Sequence, residues 1–280
     1  MTRLTVVCEN TAGPVPGILG EHGLSVLIER PGEALLFDTG QGRTIMHNLA
    51  CLKKDPRRIG RIALSHGHYD HTGGLEQVLR LCGPIGVCCH PCALNERFVA
   101  EQRDSRTTYR RAGIPFAHSA LEALGARFVF NTGFTKIGKG LYLTGEVPRT
   151  TSFEKNDQRL KVEKNGRYVQ DTIPDDQSLV IESKKGLVVV LGCAHAGIIN
   201  TLNYITSQLP GRKIKTVVGG THIGFLGEKQ LEATIEHLKQ FRLQRLGVSH
   251  CTGLAPAMRL MQAFGRRFFF ANAGTAIEIV

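Results

Sequence analysis

The segment His66–His71 places three histidines and one aspartate within six residues, directly after a short apolar run. Imidazole nitrogens and carboxylate oxygens are the ligands that zinc prefers, and they also suit iron and manganese. Because His66 and His68 are two residues apart, both rings project to the same side of an extended chain. Asp70 and His71 follow where the chain turns, so the segment offers two pairs of ligands and predicts two adjacent metal ions. The alternative, a histidine-rich polar loop, is disfavoured because neighbouring imidazoles repel one another when protonated.

Three more histidines stand just after apolar runs of the chain. They are His195, which follows the run Leu187–Leu191, then His222 and His250. A lone histidine at such a position is more often a hydrogen-bonded core or surface residue. Three of them, together with the segment His66–His71, favour one metal site at a single edge of a sheet.

Asp38 ends another apolar run, Ala34–Phe37. We expect its carboxylate to accept an N–H from a ligating imidazole or to orient the neighbouring loop, and not to bind metal itself. The alternative is a turn aspartate without a role in the site.

A second cysteine- and histidine-rich segment, Cys88–Cys92, contains Cys-Cys-His-Pro-Cys. Adjacent residues on a strand point to opposite faces, so Cys88 and Cys89 are poorly placed to share one ion. We interpret these residues as buried thiols beside a strand-end histidine, not as a separate metal or iron–sulfur site.

Composition favours an intracellular enzyme. Hydrophobic residues make up 42% of the 280 positions, which suffices for a well-buried core in one large domain. No apolar stretch approaches 18 residues, so no membrane span is predicted. The segment Met1–Val7 lacks the features of a secretory signal, and eight cysteines without such a signal predict reduced thiols in the cytoplasm.

The formal net charge of +11 is spread over short clusters along the chain. Such an excess favours anionic ligands and predicts a phosphate-bearing small-molecule substrate as the partner. Nucleic acid is not expected, because the chain has no tryptophan, no aromatic-rich binding motif and no basic tail. The alternative is a solvated basic surface without a specific role. The oligomeric state is left open.

Strand-like and helix-like patterns alternate along the chain. Strands are predicted at Arg3–Val7, Leu24–Glu29, Ala34–Asp38, Arg61–Ser65, Gly86–His90, Leu141–Gly145, Ser178–Glu182, Leu187–Gly192, Lys215–Gly219, Arg245–Ser249 and Phe268–Val280. Helices are predicted at Thr44–Leu52, Leu75–Leu81, Ile198–Leu209, Glu228–Phe241 and Pro256–Phe264. Turn-like spacers at Arg30–Glu33 and Ser183–Gly186 predict two hairpins.

Two polar stretches interrupt this alternation, Pro91–Arg127 and Arg149–Asp176. We interpret the chain, residues 1–280, as a single domain with insertions near 91–127 and 149–176. Insertions over a scaffold commonly carry substrate specificity.

Several of these segments resemble the motifs of the metallo-β-lactamase-fold superfamily, and within it the dihydropterin synthase-like branch. The matching segments extend over nearly the whole chain and are Glu21–Ser25, Leu36–Gly40, Ser65–Leu75, Gly145–Arg149, Asp175–Gln177, Gly192–Gly197, Gly219–His222 and Ser249–Gly253.

The resemblance implies an α+β fold, the αββα four-layer sandwich, with two mixed sheets face to face and the metals at one edge. It assigns one metal to His66, His68 and a third ligand. It assigns the second metal to Asp70, His71 and His250.

The chain departs from the usual superfamily pattern in its second half. Where most members have a histidine, this chain has Asp175-Asp176. At a later position, where most members have a bridging aspartate, this chain has Cys193. We take His195 as the preferred third ligand, with Asp176 and Cys193 as alternatives. A carboxylate or thiolate changes the charge and softness of the site, so zinc is favoured while iron, manganese and magnesium stay open.

The resemblance favours a metal-dependent hydrolase acting on a phosphorylated or other anionic small molecule. Asp70 is expected to orient the attacking water while also binding metal. Glu146, Arg149 and His222 are expected to bind the substrate, together with lysine or arginine residues of the two insertions. The first alternative is a transferase that condenses a dihydropterin-methyl diphosphate with an aminobenzene ribotide phosphate. The second is a non-catalytic metal-binding protein. An RNA-processing nuclease would be expected to carry an additional nucleic-acid-binding extension.

Overall fold

The computed structural model describes residues 1–104 and 106–279, which form eighteen β-strands and seven α-helices. The strands are β1 (Thr2–Cys8), β2 (Ser25–Arg30), β3 (Glu33–Phe37), β4 (Arg61–Ala63), β5 (Ile85–Cys89), β6 (Phe98–Arg103), β7 (Arg106–Arg111), β8 (Ala126–Phe130), β9 (Thr135–Gly138), β10 (Leu141–Leu143), β11 (Leu160–Lys164), β12 (Arg167–Gln170), β13 (Leu179–Ser183), β14 (Gly186–Leu191), β15 (Ile214–Gly220), β16 (Arg245–Ser249), β17 (Phe268–Phe270) and β18 (Ala276–Ile279). The helices are α1 (Ile45–Cys51), α2 (Tyr69–Thr72), α3 (Leu75–Cys82), α4 (His118–Ala123), α5 (Ile198–Gln208), α6 (Glu228–Gln240) and α7 (Leu254–Phe264).

Two mixed sheets of seven strands each form the centre of the fold. The first has the order β18-β1-β2-β3-β4-β5-β8 and the second the order β17-β16-β15-β14-β13-β10-β9. Each sheet is antiparallel in one half and parallel in the other, from β3 to β8 in the first and from β14 to β17 in the second. The predicted hairpins β2–β3 and β13–β14 are confirmed.

Alternate residues of the central strands pack on opposite sides of each sheet. Leu35 and Phe37 belong to the core between the two sheets, whereas Leu36 packs under the helices on the outer face. Val188 and Val189 divide in the same way in the second sheet. A strand buried on both faces gives a continuous apolar run, which is why these strands are visible in the sequence. The layers are helices, sheet, sheet and helices, so the predicted αββα sandwich is confirmed.

Helices α1, α3 and α4 cover the first sheet, and α5, α6 and α7 cover the second. The predicted apolar face of α6 is buried through Leu231, Ile235 and Leu238. At the start of α5 the Glu154 carboxylate accepts two backbone N–H groups of the first turn, which would otherwise lack partners. None of the helices in the described ranges is both long and apolar enough to cross a membrane.

A third sheet of four strands, in the order β12-β11-β6-β7, is built from the two polar stretches. These strands were not predicted, because all six residues of β7 are exposed and the pattern lacks the apolar alternation of a half-buried strand. Strands β8 and β9 were missed as well; most residues of β8 are exposed, and none of the residues of β9 is fully buried. The description of the chain as one domain with two insertions stays a prediction.

The predicted strand Phe268–Val280 is wrong as a single element. The chain forms β17 in the second sheet and, after a break, β18 in the first, where it pairs with β1. Asn272, Gly274 and Thr275 lie in the connection, and Gly274 has a φ of 90°, a turn conformation that breaks the extended chain before β18. The last predicted residue, Val280, lies outside the described residues.

Candidate metal centre

The predicted histidines lie on loops that leave the strands at one edge of the sandwich. Because β14, β15 and β16 run parallel, their carboxyl ends meet there, and the residues that follow include His195, His222 and His250. The loop after β4 reaches the same place. His66 lies 3.3 Å from His195 and His71 lies 3.2 Å from His250, each distance joining two Nε2 atoms.

The backbone is strained at four of these strand ends. Asp38, Ala194, His222 and His250 have φ values of 60°, 54°, 53° and 52°. This left-handed region is uncommon for residues other than glycine. Such conformations cost about 1–3 kcal/mol each and persist only where the surrounding structure holds them, which is typical of functional sites.

The loop that carries the first two histidines is packed tightly against its neighbours. A Cβ on Gly67 would lie 2.1 Å from the carbonyl oxygen of Ala93, so only glycine fits. The N–H of Gly67 donates to Asp175 Oδ2 at 2.8 Å, and the buried Arg97 pairs with both Asp175 and Asp171. Arg97 lies next to β6, so this ion-pair network connects the third sheet to the histidine loop.

One set of candidate ligands consists of three buried imidazoles, His66, His68 and His195, called group one below. His66 Nε2 lies 2.9 Å from His68 Nδ1 and 3.3 Å from His195 Nε2. Burial lowers the pKa of all three side chains, and that of His68 to about 3. Each ring is therefore neutral at physiological pH and has a lone pair to offer.

The other set, group two, consists of Asp70, His71 and His250. Asp70 Oδ2 lies 3.2 Å from His250 Nε2 and 4.0 Å from His71 Nε2. Burial opposes charge on His71, yet the adjacent Asp38 carboxylate raises the pKa of that imidazole to about 9. Burial also opposes charge on Asp70, but hydrogen bonds from His22 and His250 hold its pKa well below the usual range. Group two therefore carries charge that group one lacks.

Oxygen acceptors behind the rings of group two determine which nitrogen faces the centre. His71 Nδ1 lies 2.7 Å from Asp38 Oδ2, and His250 Nδ1 lies 2.9 Å from Asn10 Oδ1. The contact expected of Asp38 is therefore present. With both Nδ1–H groups donated outwards, the two Nε2 atoms, 3.2 Å apart, need a proton or a cation between them. A divalent metal ion fits this arrangement of donors.

Cys193 lies between the two groups. Its Sγ is 3.2 Å from His71 Nε2. The same thiol belongs to three sets of potential ligand atoms, and within each set the atoms lie within 4.8 Å of one another. The other members of these sets are His66 with His71, His195 with His222, and His250 with Cys251. Burial raises the pKa of this thiol.

Asp176, the other alternative ligand considered, accepts the backbone N–H of Ala196 at 3.1 Å through Oδ2. Its Oδ1 is buried without a hydrogen-bond partner in the described part of the chain. Cys193 is consequently the better placed of the two alternatives to bridge the groups.

A cavity of about 210 Å³ opens beside both groups. Arg110 of β7 and Arg159, just before β11, contribute positive charge to its wall. The Arg110 guanidinium lies 5.8 Å from the centre of the Tyr69 ring, and that of Arg159 lies 4.3 Å from the centre of the Phe225 ring. The third sheet thus supplies cationic side chains to a pocket whose base is formed by the candidate ligands.

His222 faces the same cavity, and its Nε2 donates to Asp157 Oδ2 at 3.1 Å. Although burial opposes the charge, this hydrogen bond and the Cys251 thiol raise the pKa of His222 to about 9. Its Nδ1 is buried and has no partner among the residues described. The protonated ring therefore has one N–H left to donate to a ligand.

The structure brings together the six predicted metal ligands and His222, but not the other two predicted substrate-binding residues. Glu146 is exposed and lies outside the cavity wall. Arg149 Nη2 donates to the carbonyl of Thr172 at 3.0 Å, also away from the cavity. Their position after a strand-like run suggested a place at the rim, but β10 lies two strands away from β14 in the second sheet.

Four residues of the site were missed from the sequence. His22 Nε2 donates to Asp70 Oδ2 at 3.1 Å, and its motif Glu21–Ser25 had been noted without a role. Arg110, Asp157 and Arg159 lie in the polar stretches, where no periodic pattern indicated which side chains point inwards.

The segment Cys88–Cys92 does not contribute to the site. Within the described ranges, none of the groups with metal-ligand spacing includes a residue of this segment. Cys88 belongs to the core between the sheets and Cys89 to the outer core, in line with the interpretation as buried thiols.

Comparison with known proteins gives consistent results. The family model described as the metallo-beta-lactamase superfamily matches residues 19–122. The 7,8-dihydropterin-6-methyl-4-(beta-D-ribofuranosyl)-aminobenzene-5'-phosphate synthase of Methanocaldococcus jannaschii is 30% identical, over 99% of this chain and 96% of the synthase. A crystal structure described as a metal-dependent hydrolase of the beta-lactamase superfamily superposes with a TM-score of 0.83 at 29% identity, covering 99% of both chains.

A diphosphatase of the PhnP family shares the fold, with a TM-score of 0.56 at 12% identity over 99% of this chain and 98% of the diphosphatase. The full-length relative is a named synthase and the full-length structural neighbour a metal-dependent hydrolase, so enzymatic activity is supported. These matches, together with the buried histidine, cysteine and aspartate groups, show that the chain belongs to the metallo-beta-lactamase superfamily.

Proposed function

We propose that this protein is a dinuclear metal-dependent hydrolase of a phosphorylated or otherwise anionic small molecule. The observation that carries the proposal is that the two ligand groups meet at Cys193, whose Sγ lies 3.2 Å from His71 Nε2 of group two, beside a cavity with arginines in its wall. Group one would hold one divalent ion and group two the other, with zinc favoured by the imidazole-rich set.

When bound, the ions would supply Lewis acidity and lower the pKa of a water molecule. Asp70 is ionised at neutral pH, because its pKa is held well below the usual range. Its carboxylate can therefore accept a hydrogen bond from an attacking water and orient it. The nearby His22 donates to the same oxygen and fixes the carboxylate's orientation.

Arg110, Arg159 and the free N–H of His222 supply the anion-binding groups. Guanidinium groups form paired, charge-assisted hydrogen bonds to phosphate oxygens. Arg159 is also paired with Asp157 at 2.5 Å, and Asp157 accepts from His222 as well, so one carboxylate positions two of the three donors. This arrangement would bind a phosphate group and stabilise the negative charge that develops on it.

A second function, transfer of a group to an amine, is favoured by the similarity to the pterin synthase over almost the full length. In that case the same arginines would bind a diphosphate leaving group, and no attacking water would be needed. The eight unpaired thiols support a reducing compartment such as the cytoplasm for either activity.

The test is a screen of metal-loaded protein against phosphomonoesters, phosphodiesters and organic diphosphates, with and without an added aromatic amine. Release of phosphate without the amine supports the hydrolase. Release of pyrophosphate only with the amine supports the transferase instead. If the protein binds metal but turns over every compound no faster than a His66→Ala variant does, both enzymatic functions are contradicted. A metal-binding protein without turnover then remains.

A further inference from the structure

The third sheet turns one of its two faces towards the candidate metal centre. Val99, Arg110 and Leu160 are register neighbours across β6, β7 and β11, and all three line the cavity. Because side chains alternate along a strand, the residues on this face are every second one counted from these three. Tyr109 and Arg111 therefore lie on the opposite face.

Positive charge continues along this face beyond the cavity. Counting from Arg110, the same face of the β6–β7 hairpin carries Arg106 on β7, and Glu101 and Arg103 on β6. The side-chain contacts agree with this assignment, since Glu101 accepts hydrogen bonds from both Arg110 and Arg103, at 2.7 Å and 3.2 Å. Three arginines thus share the face with one carboxylate, that of Glu101. Its hydrogen bonds to Arg110 and Arg103 already use both of its oxygens.

The end of the hairpin lies well outside the cavity. Arg106 is four residues from Arg110 along an extended strand, which corresponds to about 13 Å. The side chain of Arg103 is 74% exposed, and Arg106 is also exposed. The Arg103–Glu101 pair is exposed and contributes little to stability, and both guanidinium groups lie in line with the cavity.

The other hairpin of the sheet lacks this continuity. Lys164 and Arg167 lie at its tip on the same face, but Val162 and Val169 separate them from the cavity-lining Leu160. An anionic ligand leaving the cavity would meet apolar side chains in that direction and arginines along β6–β7.

We propose that Arg103 and Arg106 bind a second anionic group of the substrate, about 13 Å from the cavity wall, so that the natural substrate is an extended molecule with two anionic ends. The proposal rests on the proposed function, in which the first anionic group binds at the metal centre. It narrows the substrate class to bisphosphates or molecules with an equivalent pair of anions.

The experiment uses metal-loaded full-length protein and a series of alkanediol bisphosphates of increasing chain length, each compared with the alkanol monophosphate of the same length. Phosphate release gives KM and kcat, and calorimetry gives the affinity directly. For one matched length the bisphosphate should have a KM on the order of tenfold lower than its monophosphate, the effect of one charge-assisted contact. A double substitution, Arg103→Gln with Arg106→Gln, should remove this preference while kcat for the monophosphate stays unchanged.

Two matched variants serve as controls. Arg111→Gln removes the same charge from the same strand on the opposite face, and Lys164→Gln with Arg167→Gln removes the charges of the other hairpin tip. Neither should change the preference for the bisphosphate.

The proposal is overturned if bisphosphates and monophosphates bind equally at all lengths, or if either control has the same effect as the double substitution. Binding of a single-stranded RNA oligonucleotide is measured as well. A double substitution that weakens only RNA binding also overturns the proposal. The calorimetric arm keeps the two proposals separable. A preference for the bisphosphate without turnover would support the second anion site while contradicting the hydrolase.

Discussion

The two ligand groups of the metal centre lie in contact but differ in how they are charged. Group one consists of three imidazoles, and burial keeps them neutral, with the pKa of His68 lowered to about 3. Group two includes a carboxylate, and a second buried carboxylate, Asp38, raises the pKa of His71 to about 9. A carboxylate also stands behind His250, whose backbone N–H donates to Glu9 at 2.6 Å.

The difference indicates that metal binding at the two groups would involve different proton chemistry. Group one can accept an ion without releasing a proton, because its rings are already neutral. In group two the ion must displace the proton that Asp38 retains on His71. The metal affinities of two adjacent sites around Cys193 can therefore depend differently on pH.

The largest expected effect comes from removing one ligand of either group. His68→Ala should lose the ion of group one and His250→Ala that of group two, and each should reduce turnover on the order of a thousandfold, equivalent to several kcal/mol. Elemental analysis and steady-state kinetics measure both, with His118→Ala, a histidine outside the cavity wall, as the control. Unchanged metal content in His68→Ala would refute the assignment of group one.

These two variants separate the pH dependence of the groups. Because the pKa of His71 is about 9, it carries a proton below that pH. Metal affinity of group two in His68→Ala should therefore rise about fiftyfold from pH 7 to 9 and level off above pH 9. Affinity of group one in His250→Ala should stay flat over the same range. Titration with a competing chelator measures both. Equal slopes would show that His71 is not the group displaced.

Asp38→Asn tests the source of the difference. The variant keeps the shape of the side chain but removes the charge that holds the His71 ring, and loss of such a partner typically costs 10–100-fold in metal affinity. The loss should be confined to group two, measured in the His68→Ala background, while group one in the His250→Ala background is unaffected. A loss in both would mean that Asp38 acts by holding the whole loop through Ser65, whose N–H it accepts at 2.7 Å.

The smallest effect concerns Asp176, whose carboxylate accepts the backbone N–H of Ala196, next to His195 of group one. Burial raises its pKa to about 6, so the folded protein resists its ionisation and loses stability as pH rises from about 4 through 6. Asp176→Asn should therefore raise the free energy of unfolding of the metal-free protein at pH 8 by about 1–2 kcal/mol, with little difference at pH 4. Denaturant unfolding at both values measures this. If Asp176→Asn instead lost the ion of group one, Asp176 would be a ligand of that group. Group one would then include a carboxylate, and the difference in charge between the two groups would disappear.

The sandwich and the clustering of the candidate ligands could be predicted because both leave strong local signals. Strands such as β3 and β14 are buried on both faces and read as unbroken apolar runs, and the polar residues just after them, Asp38 and His195, are placed by the strand itself. The position of Cys193 between the groups could not be derived, since it depends on how two distant loops meet. Its sequence neighbour His195 carried the clearer signal.

The third sheet could not be predicted, and neither could which basic residues of the two insertions form the cationic wall. Strand β7, Arg-Thr-Thr-Tyr-Arg-Arg, is solvated along its length, so nothing in its composition distinguishes it from a loop. Which of Arg110 and Arg111 faces the cavity depends on the register with β6, a tertiary property. Glu146 and Arg149 lie outside the wall of this cavity for the same reason, since sequence proximity to a strand end does not say which edge of the molecule that end occupies.

The ion pairs of Arg97 have a consequence for how the molecule responds to what it binds. Through Asp175 this one buried guanidinium joins the base of the arginine-bearing hairpin to the peptide N–H between His66 and His68. A ligand of the hairpin that displaced Arg97 would also disturb the hydrogen bond of that peptide, and occupancy at one end would then bias the other. By thermodynamic reciprocity, loading with metal would then change the affinity of the hairpin for its ligand by the same factor that the ligand changes the affinity for metal.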